Sequence, residues 1–318
     1  MDKQNIFPRW VILLLVVPFF QACPNNNTNG VISYTFKSIA INGNGLTPLR
    51  VTCPTGGQMV GGGFTVYPTT QVDVRANFPS SKNSWEVDVN NTSGMGAAVL
   101  TVYLYYYTGD KDLGMEIDSV VQTVSGPNPG ALTTTTPVSV EKKYAASVIT
   151  SGGFRIPADV PSSTLTVSGS FPNLSSSPGD NVTGWTNNAT SALSRGSGTI
   201  TSYVMYSNGT GQIGSTTPVF DGGQAIQNAS IGINPNTPVY VIGNDLHFCT
   251  GGGYNFNSSV ATQPVYIFQN NAGTQSANST NKDVFLGWQF YAAPHNASIS
   301  DPWSLYALQI SLHGAGKK

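Results

Sequence analysis

Gly62-Gly63-Phe64, Gly152-Gly153-Phe154 and Gly252-Gly253-Tyr254 decide how this chain is read. Each follows a Thr-Pro pair, with 16, 17 and 16 residues from Pro48, Pro137 and Pro238 to the aromatic. Thr47-Pro48-Leu49-Arg50-Val51 recurs as Thr136-Pro137-Val138-Ser139-Val140 and as Thr237-Pro238-Val239-Tyr240-Val241. An alternating stretch follows, Val72-Asp73-Val74 to Phe78-Pro79, then Leu165-Thr166-Val167 to Phe171-Pro172, with Val265-Tyr266-Ile267 to Asn270 as a weaker third copy. Trp85, Trp185 and Trp288 come next, and Tyr103, Tyr203 and Tyr306 stand 18 residues beyond them. Landmarks repeated three times in one order mark a triplication.

The lead-in repeats as well: Ser38-Ile39-Ala40-Ile41-Asn42 matches Ser230-Ile231-Gly232-Ile233-Asn234, with an approximate middle copy near Ile117 to Val124. Period-two alternation in Trp85-Glu86-Val87-Asp88-Val89, and β-branched and aromatic runs broken by Gly, Pro, Asn and Ser, predict about five strands per unit. Ser304 to Leu312 fits a helix in isolation, but as the third Tyr-bearing segment it is read as strand. The fold class is therefore all-β: three antiparallel β-repeats over 31–109, 115–209 and 224–318. They form one pseudo-symmetric, prism-like body with one sheet per unit or, alternatively, three tandem sandwiches. Units of this size would leave open sheet edges, which favours the single body.

Composition narrows function. The chain has 318 residues, 9% of them charged, 14 basic against 15 acidic, and a net charge of -1. A nucleic-acid partner held by phosphate neutralisation has no basic footprint here. Coiled coils lack their Glu, Lys and Arg. With 39% hydrophobic and 10% aromatic residues, the chain can build a core, unlike charge-driven disorder.

Lys3 and Arg9 precede an uncharged apolar run from Trp10 to Phe20. It is too short to span a bilayer and matches the apolar region of a signal peptide, 1–22. Phe20-Gln21-Ala22-Cys23 resembles a bacterial lipobox, in which the Cys is lipidated and becomes the mature N-terminus; Ala22 and Cys23 fit, whereas Phe20 and Gln21 depart from the usual residues. The alternative is ordinary cleavage near Ala22. Residues 23–30 read as a polar tether. The expectation is a protein of the bacterial cell envelope, exposed at the surface and held to a membrane by lipid.

Cys53-Pro54-Thr55-Gly56, Gly61-Gly62-Gly63-Phe64, Pro79-Ser80, Trp85-Glu86-Val87 and Val102-Tyr103 resemble a repeat of exported bacterial surface proteins. That resemblance implies an exported β-rich surface module and no particular activity. The second Cys with which that family usually ends the last strand is absent from Tyr105-Tyr106-Tyr107.

Chemistry-bearing candidates are few. Cys53 and Cys249 either pair, joining the first unit to the third, or are two separate buried thiols. His247, His295 and His313 share no metal-ligand spacing, and neither a His-Glu-x-x-His nor a Gly-x-Ser-x-Gly motif occurs. No enzyme and no cofactor are expected. Asp110, Asp112, Glu116 and Asp118 alternate as a weak Ca²⁺ candidate or as a solvated turn. Trp85, Trp185 and Trp288 suit sugar stacking or repeated core anchoring. The low-charge surface suits neutral polar partners, glycans or sister subunits. The expected function is non-catalytic binding, adhesin-like and directed at glycans; the alternative is a structural envelope or appendage component.

Overall fold

A computed structural model describes residues 30–41, 43, 45–68, 72–91, 98–109, 111–126, 133–144, 147–161, 164–174, 182–192, 197–208, 220–232, 239–242, 248–256, 265–273, 287–294 and 302–312. Eighteen strands and no helix lie among them. The first run is β1 (Val31–Ile41), β2 (Gly45–Thr52), β3 (Gly57–Tyr67), β4 (Val72–Ser81), β5 (Ser84–Asn91) and β6 (Ala98–Thr108). The second is β7 (Met115–Val124), β8 (Thr133–Glu141), β9 (Val148–Arg155), β10 (Leu165–Leu174), β11 (Val182–Ala192) and β12 (Gly198–Ser207). The third is β13 (Phe220–Gly232), β14 (Val239–Ile242), β15 (Phe248–Phe256), β16 (Val265–Gly273), β17 (Gly287–Pro294) and β18 (Pro302–Leu312). Each unit thus gives six strands instead of about five, because the lead-in segment is a strand of its own. Ser304 to Leu312 is strand, as its place in the repeat predicts.

The strands form three six-stranded antiparallel sheets. Sheet A runs β1-β6-β3-β16-β17-β14, sheet B β7-β12-β9-β4-β5-β2, and sheet C β13-β18-β15-β10-β11-β8. One rule generates all three: the first, sixth and third strands of a unit, then the fourth, fifth and second of the unit before it, with the third unit preceding the first. The expectation of one sheet per unit is therefore corrected. Every sheet is shared by two units, which also excludes three tandem sandwiches. The seams joining the halves are short and equivalent. Phe64 pairs with Asn270, Phe154 with Asn77 and Tyr254 with Ser170, each with one further pair beside it.

The glycine triplets explain why this packing needs them. A methyl group on Gly62, Gly152 or Gly252 would overlap the indole of Trp85, Trp185 or Trp288. One on Gly63, Gly153 or Gly253 would overlap the backbone of the neighbouring seam strand. Glycine allows these close approaches because it has no Cβ. The glycine strands also meet one another: Gly61 lies against Thr250 and Ser151, and Thr250 Oγ1 donates to the Thr150 carbonyl at 2.8 Å. The largest hydrophobic cluster draws residues from all three sheets, among them Trp85, Leu104, Met205, Tyr254 and Trp288.

Candidate functional site

The repeated tryptophans are core residues. Trp85, Trp185 and Trp288 are 0%, 1% and 1% exposed. Each indole N–H donates to an equivalent acceptor: Trp85 to Asn77 Oδ1 (2.8 Å), Trp185 to Ser170 Oγ (3.0 Å) and Trp288 to Asn270 Oδ1 (2.6 Å). Buried indoles take such partners routinely. With glycine backbone over the ring and a satisfied N–H, none offers a face to a sugar, which corrects the stacking candidate.

Cys53 and Cys249 are both free thiols, which corrects the disulfide. Cys53 follows the last residue of β2 in sheet B and packs beside Gly57 and Tyr106. Cys249 lies in β15 of sheet C, fully buried, with its thiol 3.5 Å from the Gly251 carbonyl. Burial pushes the Cys53 thiol up to about 12 and raises that of Cys249 further. Closure of the three-unit ring comes from the β3–β16 seam. Cys23, Asp110 and the three histidines lie outside the described residues.

Asp112 lies in the link between the first two units, and Glu116 and Asp118 make hydrogen bonds within the second. Asp112 Oδ1 accepts the Gly114 N–H at 2.9 Å. Glu116 Oε1 accepts from Asn208 at 3.2 Å, and Asp118 Oδ2 accepts the Tyr206 hydroxyl at 2.7 Å. Among the described residues no three His, Cys, Asp or Glu side chains are placed to hold a metal ion. A polar pocket of about 370 Å³ lies here, lined by Gln58, Lys82, Asn83, Asp112, Glu116 and Asn208 among others.

An uncharged surface with exposed aromatic rings lies elsewhere, on the polar face of sheet A. One cross-strand row reads Phe36–Tyr103–Gly63, then across the seam Asn271–Gln289. The next reads Ser38–Thr101–Thr65, then Gln269–Tyr291. Phe36 and Tyr34 are 41% and 45% exposed, and Tyr67, at the far end of β3, is 77% exposed. The Tyr34, Phe36 and Tyr103 rings lie 5.9–6.5 Å apart and form one aromatic shelf. Gln269 and Gln289 are hydrogen-bonded to each other. Asn271 is buried, and its Oδ1 has no hydrogen-bond partner among the described residues. Such an acceptor carries a desolvation penalty of about 1–3 kcal/mol. These two rows hold no charged side chain.

The same row differs in the sister sheets. Sheet B has Arg50–Glu86–Phe78–Gly153–Tyr203, with Arg50 Nε on Glu86 at 2.6 Å and the Phe78 and Tyr203 rings 4.8 Å apart. Sheet C has Ser139–Thr186–Phe171–Gly253–Tyr306, with the two hydroxyls 2.6 Å apart and the Phe171 and Tyr306 rings at 5.2 Å. In both, a phenylalanine reaches across the glycine to cover the repeat tyrosine. Sheet A carries Asn271 at that position, and Tyr103 meets Phe36 and Tyr34. Of these residues the sequence marks only Tyr103, which recurs; Tyr34, Phe36 and Asn271 do not recur and carry no mark of their own. The available signal was the weak third copy, where Asn271 stands in the place of Phe78 and Phe171.

A family model described as YjdH matches residues 20–105, a stretch that ends within β6 and takes in the first unit alone. No curated protein matches the chain.

Proposed function

We propose that this protein is an exported, lipid-anchored module of the bacterial cell surface that binds neutral glycans without catalysis. The observation that carries this reading is the polar face of sheet A: an exposed aromatic shelf beside glutamine, asparagine, serine and threonine side chains, with no charge in its central rows. Aromatic faces take the C–H face of a sugar, and amides and hydroxyls exchange hydrogen bonds with its rim. The short apolar leader and Cys23 support export and anchoring. The hydrogen bonds that engage Asp112 in its own loop, and Glu116 and Asp118 within the second unit, fit a non-catalytic role.

A glycan array probed with the purified protein tests the binding. Signals on neutral glycans are expected; an array without hits overturns the reading. Palmitate labelling that disappears in Cys23→Ala is the expected outcome for the anchor. A second reading, a structural envelope component, is favoured by apolar exposure on edge strands, where Val121 on β7 is 68% exposed and Ile39 on β1 is 39% exposed. Filaments or lattices in electron micrographs, with a blank array, would decide for it.

A further inference from the structure

The geometry points to one sugar subsite on sheet A, formed by Tyr103, Phe36 and Asn271, that takes an uncharged hexopyranose and is set apart from the sister sheets by the asparagine. This rests on the glycan-binding reading above. In sheets B and C a six-membered ring, Phe78 or Phe171, lies against the repeat tyrosine over a glycine floor, with ring centroids 4.8 and 5.2 Å apart. In these two sheets the chain thus covers the tyrosine from across the glycine with a ring of its own. In sheet A the floor is again glycine, Gly63, and the tyrosine is again present, but the residue across the seam is Asn271.

Asn271 lies two strands from Tyr103, roughly 10 Å at the usual strand spacing. A pyranose seated on Tyr103 and flanked by Phe36 therefore has its edge directed at the Asn271 amide. That amide is the polar group of the row with an unpartnered buried oxygen among the described residues. Its terminal torsion is broad, so a small turn brings the oxygen to the incoming ring. The oxygen accepts, so the ligand supplies a donor, which a sugar hydroxyl does. The rows carry no cation to match a uronic or sialic acid and no anion to match an amino sugar, so the complementary ligand is neutral. Tyr34 extends the shelf by one ring, with its centroid 6.4 Å from that of Phe36, which suits a short chain of sugars better than a single one.

The test uses the full mature protein, titrated with cello-, laminari-, manno- and galacto-oligosaccharides and with acidic oligogalacturonides. Wild type is expected to bind at least one neutral series and not the acidic one. Phe36→Ala, at an exposed site, is expected to weaken binding by about tenfold or more, the loss typical of truncating a central aromatic anchor. Asn271→Phe, which gives sheet A the ring its sisters carry, is expected to abolish binding while leaving the melting temperature unchanged or higher. Should Asn271→Phe fail to fold, Phe36→Ala and Tyr34→Ala still decide the matter. Glycan binding that survives all these changes, or that is confined to acidic sugars, overturns the subsite and leaves the wider reading standing. No glycan bound by wild type overturns both. Sedimentation over a concentration range covers the remaining occupant: a dimer that Phe36→Ala dissociates would assign this face to a second copy of the chain and overturn the subsite.

Discussion

Asp88 shows how one side chain couples this fold to pH. It lies on the polar face of sheet B at 5% exposure, and its Oδ1 has no partner among the described residues. Burial first, and then Glu86, push its carboxyl up to about 6, against the pull of Arg155 and Arg50. An unfolded aspartate titrates near about 3.9, so between about pH 4 and 6 the folded chain holds the extra proton. The stability linked to that proton is fully present below about pH 4 and is lost as pH rises through about 6. Asp88→Asn is therefore expected to gain about 1 kcal/mol at pH 7.5, allowing for screening, and nothing below about pH 4. Urea midpoints at the two pH values check this, and an equal gain at both would refute the titration. At this scale the sequence was readable where residues repeat. Trp85, Trp185 and Trp288, and the glycines beneath them, announce themselves by spacing. Tyr34, Phe36 and Asn271 do not, because they belong to one copy each and acquire meaning only when the seam places them on one face of one sheet, three strands apart.

Strands were legible from alternation and composition, but their partners were not. The local pattern of β9 shows a buried glycine strand. It contains nothing that names β4 as its neighbour, since the seam consists of two residue pairs, Arg155 with Ala76 and Phe154 with Asn77. What does bind elements in a readable way is the contact between the glycine strand and the tryptophan strand of one unit. Gly152→Ala on β9 drives a methyl group into the Trp185 indole on β11, an overpacking expected to cost about 1–3 kcal/mol. The cost is expected to shrink in a Trp185→Phe background, where the smaller ring leaves room. A double-mutant cycle of unfolding free energies reads the coupling. Additive losses would show that Gly152 is required for backbone conformation alone.

Over the whole molecule the strand-sharing rule makes the three units one cooperative object. A chain ending at residue 208 retains every strand of sheet B but loses half of sheet A and half of sheet C. It is expected to show no cooperative melt by circular dichroism, whereas the full chain unfolds in one transition; a folded truncated chain would refute this. The prism-like, threefold character was legible from the landmarks. Sharing of each sheet between units was not, because it depends on contacts far apart in sequence. The β3–β16 seam also sets a timetable. When β3 leaves the ribosome its partner has not been made: Phe64 waits for Asn270, about 200 residues later, which at about 5–20 residues per second is about 10 to 40 s of synthesis. During that interval β3 has β6 on one side and an open edge on the other. Gly61, Gly62 and Gly63 are poor material for a cross-chain β-template. The glycines that let three strands meet in the finished protein thus also guard the unfinished one from pairing with the wrong neighbour.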